Sequence, residues 1–379
     1  MFELFGISIS DSALSQRRAS AGVEIFLQIA RASLRPLADP KRHPGAFYKG
    51  WRLLGIDGSQ ASVTNTPQCL AHWTKAKSRR FRAAFAKLPF VWLIELGTHA
   101  PVGVSVGLAS ESEWTLAQRL LPAIGRGSLV LLDRLYGVGA YCQVLLQKAH
   151  EQGFEVLVRA RSNLKVKRLQ QLSDGSAWVE VRVSDGKKGC RRIQVREIWG
   201  RVRRGGKAWT QVRLWTSLLD PKKYPASELL ALYAQRWEIE LSTRELKMDL
   251  NQGQILRSHT PESAAQEILV LVLAMALLSQ TRLAAAENGE LPTLRISFRY
   301  MLTQVRSLWV LVAAAADELT SGQLERIVAR VLQRIAEYPL PIRRARTCPR
   351  AVRQPIGKWP RLIHNSQEIG PCQYQILST

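Results

Sequence analysis

Two short apolar runs constrain this chain more than any other feature: Leu53-Leu54-Gly55-Ile56 and Leu129-Val130-Leu131-Leu132. The first stops at Asp57 and the second at Asp133. A short continuous run without polar alternation fits a strand buried on both faces, which points to an α/β chain. A third run, Phe154-Glu155-Val156-Leu157-Val158, ends at Arg159, and a helical pattern over 140–150 precedes it. Phe90–Ile94 and Val102–Val106 flank a turn at Gly97–Pro101 and read as a hairpin with a long loop.

The remaining elements surround this core. In residues 1–50, Ser10 or Asp11 caps a helix running towards Leu37, broken by Pro36, Pro40 and Pro44. Residues 160–210 are rich in Arg, Lys and Gly. They alternate in Trp178–Val183 and Ile193–Trp199, with a hairpin turn at Asp185-Gly186. A long helix is expected from Ser227 as N-cap, then helices over 262–287, 298–317 and 323–337, and a Pro/Arg-rich arm over 339–360. The expected organisation is a helical N-terminal region at 1–50. The core follows at 51–159, with a basic β-rich insertion at 160–218. The core resumes at 219–287, and a helical region with a basic tail occupies 288–379.

Charge narrows the partners. The chain has 54 Lys and Arg against 30 Asp and Glu, a net charge of +24 over 379 residues. Such a chain repels itself unless a polyanion offsets it, so nucleic acid is the first expectation and an anionic membrane surface the second. With 46% hydrophobic residues, wholesale disorder is excluded. The longest apolar run, Ile268–Leu278, is shorter than the roughly 20 residues of a membrane span and reads as a core helix. No basic-then-apolar leader opens the sequence. The five cysteines form no Cys-x-x-Cys pair, as expected of reduced cytoplasmic thiols. The six histidines lack metal spacing, Gly137-Val138-Gly139 lacks the rest of a dinucleotide fingerprint, and no Gly-x-Ser-x-Gly elbow exists.

One helix carries the chemical signal. Tyr233, Arg236, Glu240 and Lys247 fall within a stripe about 60° wide on an α-helix, between apolar borders at Trp237, Leu241 and Met248 and at Leu232, Ile239 and Leu246. Salt bridges such as Arg236–Glu240 on a solvated face are the plain alternative. The spacing Tyr-x2-Arg-x3-Glu-x6-Lys resembles that of the DDE transposases of bacterial insertion sequences, in the Tyr-Arg-Glu-Lys branch, family four. Ile56-Asp57-Gly58-Ser59 resembles that family's first aspartate motif. Leu131-Leu132-Asp133-Arg134-Leu135-Tyr136 resembles its second. Leu218–Pro221, Arg244–Lys247 and Leu256–Glu262 extend the likeness, which covers about 50–285. Leu135 stands where the family usually has glycine, and Asn65 where aspartate is common.

The resemblance implies an RNase H-like mixed-sheet core and DNA cleavage and strand transfer at insertion-sequence ends, the cut-and-paste reaction. It implies Asp57, Asp133 and Glu240 as metal ligands. Three converging carboxylates repel each other without a cation, and hard oxygen ligands select Mg²⁺ or Mn²⁺. Two such ions would clamp an in-line phosphoryl displacement. Arg236, Lys247 and Arg134 would hold phosphate oxygens and Tyr233 would donate one hydrogen bond. A Trp from the insertion would stack on a flipped base, with Trp215, Trp199 and Trp209 as candidates. Basic runs at 75–87, 159–168, 187–207 and 343–358 would track phosphates. The implied partners are double-stranded DNA, at element ends and target, and a second copy of the chain in a cytoplasmic, nucleoid-associated complex. The alternative is a decayed or repurposed DNA-binding copy.

Overall fold

The computed structural model describes residues 2–4, 7–76, 83–184, 190–204, 209–315, 318–341 and 372–377. The basic arm at 343–358, the Asp185-Gly186 turn, and Lys77, Arg79, Arg80 and Arg82 lie outside the described residues. The chain divides into two compact units. One comprises residues 1–131, 152–154 and 236–340, and the other 132–151, 155–235 and 341–379. These divisions cut across the boundaries expected from composition, because the second unit takes in the 140–150 helix and the 155–159 strand.

The first unit is built on a mixed sheet. Trp51–Ser62 pairs antiparallel with Lys87–Glu95, which pairs antiparallel with Pro101–Val106. On its other edge Trp51–Ser62 pairs parallel with Ser128–Leu132, from Arg52↔Ser128 to Gly55↔Leu131. Three antiparallel strands followed by a parallel one give the expected RNase H-like α/β order. The two apolar runs are the buried centre, with Leu53, Leu54, Ile56, Leu129, Val130 and Leu131 at 0–1% exposure. Asp57 is not at a strand end, as expected, but inside a longer strand of 12 residues. Antiparallel pairing with Lys87–Glu95 carries the ladder on to Ser62, past the turn-like Asp57-Gly58-Ser59.

Helices cover this sheet. The N-terminal helix is two, Asp11–Ala21 and Glu24–Ser33, because Gly22 adopts φ +63 between them. Ser10 caps the first, as expected. Residues 111–124, whose pattern reads as a single helix, form Glu113–Gln118 and a 3₁₀ turn at Leu121–Ala123, where Pro122 interrupts the helix. Pro261–Asn288, opened by a Thr260–Ser263 capping box, is longer than the apolar run suggested. Its length and mean hydropathy of 2.0 over its apolar window would allow a membrane span, but half of that window is buried in the unit. Its buried Arg282 pairs with Glu245, which fits a core helix. Phe298–Ala314 and Ser321–Ala336 complete the unit.

The second unit is an antiparallel sheet with the strand order Glu155–Arg159, Thr210–Thr216, Cys190–Arg204, Ala177–Ser184 and Val166–Gln171. Cys372–Ile376 also pairs with Cys190–Arg204. Arg196, fully buried, anchors this sheet. Its guanidinium bonds Asp174, Ser176 and the carbonyls of Leu218 and Tyr224. Gly139–Gln152 and Ala226–Leu232 are its helices. The latter begins after Pro225, two residues earlier than a Ser227 cap would place it.

Gly137 makes the tightest backbone approach. A methyl group there would lie 1.9 Å from the Arg159 carbonyl oxygen. Backbone rather than a flexible side chain must yield, so Gly137→Ala is expected to lower stability by roughly 1–3 kcal/mol in urea denaturation.

Candidate active site

In the first unit the Asp57 strand and the Glu240 helix run side by side. Side chains at Gly55, Asp57 and Ser59 share one face of the strand. Over Gly55 sits Ile239, whose Cδ1 would lie 2.2 Å from a Cβ, so a side chain there would force Ile239 to move. Further along, the Lys247 Nζ donates to the Gln60 carbonyl at 2.8 Å and approaches Ser59 Oγ at 3.4 Å. Four strand residues advance about 13 Å and eight helical residues about 12 Å, so the two elements keep step. Asp57, half-buried, therefore faces the helix turns between Ile239 and Lys247. Those turns carry Glu240. Its Oε1 accepts from Arg236 at 2.6 Å, and its side chain is 37% exposed. Burial, then the nearby Lys87, holds the Lys247 ammonium below its usual range.

The helix is not the uniform one the spacing implied. Tyr233–Arg236 is a 3₁₀ turn, Trp237–Arg244 is α, and Glu245–Leu250 is a π-turn. Residues step round each segment by a different angle, so the 60° stripe does not hold. Arg236 and Glu240 stay together, Lys247 reaches the strand, and Tyr233 falls in the second unit. π-turns within α-helices occur frequently at functional sites.

Behind the helix is a buried quartet that sequence reading missed. His99, 1% exposed, bonds Glu245 through Nδ1 at 2.7 Å and Glu238 through Nε2 at 3.0 Å. Arg282 pairs with Glu245 at 3.2 Å and donates to the Ile296 carbonyl. Two carboxylates seven residues apart on one helix were the available signal; nothing in Gly97–Pro101 advertised the histidine. Glu113 was missed as well. Its carboxylate lies against Gly58, within 2.4 Å of where a Cβ would be.

In the second unit Asp133 follows its strand directly, and its Oδ1 accepts the Leu135 N–H at 2.7 Å. Leu135, in the usual glycine position, thus serves a turn that an L-residue can make. Arg134 is exposed. Tyr233 donates its hydroxyl proton to the Leu132 carbonyl at 3.0 Å, so here it braces the residue before Asp133 rather than a phosphate. Trp215 is placed in the core. It is 1% exposed, and its indole N–H goes to Glu197 at 2.8 Å. Arg213 stacks on it and on Trp199, at 5.3 and 5.1 Å from the ring centroids, so stacking of Trp215 on a base is not supported. Trp209 differs. Half-buried, it lies beside the guanidiniums of Arg201 and Arg203, at 4.8 and 5.3 Å.

Among the described residues no group of three or more His, Cys, Asp or Glu comes together as a metal cage. The donor chemistry still suits a hard cation, because Asp57 and Glu240 offer carboxylate oxygens on facing elements. Thr243, midway between Ile239 and Lys247, adds a buried Oγ1 with no hydrogen-bond partner among the described residues.

The Asp57 strand and the Glu240 helix are thus neighbouring elements of an α/β unit. The sequence model of the Transposase DDE domain matches residues 55–277, more than half of the chain. The chain belongs to the DDE transposase family, whose reaction is transposition by DNA cleavage and strand transfer. It is 27% identical over 369 residues to the transposase InsG for insertion sequence element IS4 of Escherichia coli K12, covering 95% of this chain and 80% of that one. It is 27% identical over 152 residues to the putative transposase InsZ of the same organism, covering 38% of this chain and 47% of InsZ. Among solved structures, a piggyBac transposase synaptic complex with hairpin DNA aligns at a TM-score of 0.42 and 11% identity. That alignment covers 76% of this chain and 57% of the piggyBac chain. Membership implies use of a divalent cation and DNA as partner. The alternative of a decayed copy gains no support from these matches.

The quartet makes a pH prediction. Burial alone would push the His99 imidazole down, but Glu245, together with Glu238, raises it. Burial alone would raise the Glu245 carboxyl, but His99 and Arg282 hold it at about 2, below its usual 4.5. The histidine's contribution is therefore full below 6.5 and lost as pH rises through its raised value. That of Glu245 is full above 4.5 and lost as pH falls towards about 2, on the order of 3 kcal/mol. Thermal denaturation against pH should show both flanks, and His99→Gln should remove the alkaline one.

Proposed function

We propose that Asp57, Asp133 and Glu240 are the metal ligands of this transposase. The observation that carries this reading is the Asp57 strand held in step with the Glu240 helix, inside the stretch that matches the DDE domain. The cations, Mg²⁺ or Mn²⁺ and two in number, would supply activation of the attacking oxygen and charge neutralisation at the departing one. The chain's own residues bind and orient. Arg236, bonded to Glu240, would place its guanidinium beside a phosphate held at that carboxylate. Lys247, with its stem buried and its ammonium at the strand edge, adds a point charge. Arg134, exposed beside Asp133, is a third phosphate contact. Thr243 Oγ1 would hydrogen-bond a water in the loaded site.

The substrate is double-stranded DNA at the ends of the element and at its target, held by two copies of the chain in the cytoplasm. The charge of +24 supports this, and binding should weaken steeply with salt. Of the three tryptophans, Trp209 is the one whose surroundings suit a base near a cut, with guanidiniums placed to take the adjoining phosphates.

Strand nicking of a labelled duplex carrying the element's ends tests this directly. Asp57→Ala and Glu240→Gln should each reduce Mn²⁺-dependent nicking by about a thousandfold or more, about 4 kcal/mol of barrier. Binding to the same duplex should change little. Undiminished nicking in either variant would refute the assignment.

Tryptophan replacements separate the stacking candidates. Trp209→Ala should weaken the complex with the nicked end by roughly 1–3 kcal/mol while leaving Tm unchanged. Trp215→Ala should instead lower folding stability by about 3–5 kcal/mol. Parallel measurements of end binding and thermal unfolding distinguish the two effects.

A further inference from the structure

We infer that His99 is a positioning residue of the cleavage reaction, a clamp that fixes where Glu240 stands against the Asp57 strand. The imidazole is one rigid ring bonded at both nitrogens, to Glu245 at 2.7 Å and to Glu238 at 3.0 Å. It therefore sets the separation of two carboxylates that lie on either side of Glu240 in the chain. Between them the helix changes from α to π, at Arg244 and Glu245. A π-turn accommodates an extra residue, and a shift of that residue by one position would swing a side chain by about 100°. The clamp grips both sides of the change and so fixes the register of the helix that carries Glu240.

The clamp is itself anchored. His99 adopts φ +59, a left-handed conformation that a histidine keeps only when its surroundings hold it. Ser279 Oγ donates to the His99 carbonyl at 3.3 Å, and Arg282 binds Glu245 from the same helix. The charged groups facing the ring are Glu238, Glu245 and Arg282. With a doubly protonated His99 they form two positive and two negative charges in a site where His99 and Arg282 are almost fully buried. An unpaired charge there would be costly, so the four act as a unit.

The inference rests on the reading of Glu240 as a metal ligand, and the test separates the two. Full-length wild type is compared with His99→Gln, Glu238→Ala, Glu238→Gln and Glu240→Gln on the labelled end duplex. The readouts are the Mn²⁺ concentration for half-maximal nicking, duplex affinity without metal, and hydrogen exchange over residues 236–250. His99→Gln and Glu238→Ala should each raise the Mn²⁺ requirement about tenfold or more, the range typical when groups orienting a metal ligand are removed. Exchange should quicken over 236–250 and duplex affinity should hold. Glu238→Gln, which keeps an acceptor oxygen for Nε2–H, should recover most of the loss seen with Glu238→Ala. A wild-type Mn²⁺ requirement and wild-type exchange in His99→Gln would overturn the clamp; where that variant fails to fold, the same result in Glu238→Ala would do so. Nicking that survives Glu240→Gln would instead overturn the ligand assignment, and the exchange pattern alone would then decide on the clamp.

Discussion

The Glu240 helix is gripped from two sides, and most of the first unit is arranged around that grip. On one side Ile239 drops over Gly55 and Lys247 reaches Gln60, so the helix lies along the Asp57 strand. On the other, His99 and Arg282 tie the helix through Glu238 and Glu245 to the turn after Glu95 and to the Pro261–Asn288 helix. The first side combines a steric contact with one hydrogen bond, and the second is ionic. A steric contact resists approach but not sliding. Directed hydrogen bonds to two carboxylates about two turns apart resist sliding, and together the two fix register. A buried ion pair adds little net stability compared with an apolar core, so fixing register is the more plausible physical return for burying four charges.

The second unit uses buried charge in a similar way. Arg213 is sandwiched by Trp199 and Trp215 and bonded to Glu197, which also accepts both indole N–H groups. Arg196 draws the turn at Asp174 to the chain beyond Thr216. A thin sheet in a strongly basic segment has few apolar residues for a core. Aromatic faces over guanidiniums, with carboxylates to balance them, supply packing and charge neutrality together. The arginines counted in the sequence therefore do different jobs. Arg196 and Arg213 are interior, while Arg201 and Arg203 beside Trp209 remain at the surface side of the same strands.

Several parts of the molecule were legible in advance. The strands at Leu53–Ile56 and Ser128–Leu132 were recognisable because burial on both faces leaves an unbroken apolar run. The Phe90 and Val102 strands showed as a hairpin by their β-rich composition, and the helix expected over 262–287 is Pro261–Asn288. The break at Gly22 and the shortening at Pro122 follow from local backbone rules, though the periodicity around each masked them. Less visible was the helix containing Glu240. Its residues have helical spacing, but spacing cannot distinguish 3₁₀, α and π segments, since those depend on what the helix packs against. Tyr233 and Trp215 illustrate the same limit. Each residue type suited a DNA contact, yet the hydroxyl of one serves the Leu132 carbonyl and the indole of the other fills a core.

By itself the sequence determined the class of the molecule: strands that end at or run through acidic residues, a Tyr-Arg-Glu-Lys spacing, and a charge that demands a polyanion. These are properties of residue type and separation along the chain, and local physics acts on both. Only the tertiary structure decided which polar groups face the site and which are consumed in holding it. His99, Glu238, Glu245 and Arg282 come from three separate stretches of chain, and each looks like an ordinary surface residue until folding removes the water from around it. Once buried, a charge must find its opposite within hydrogen-bond reach, and that requirement, invisible in one dimension, positions the helix that carries Glu240.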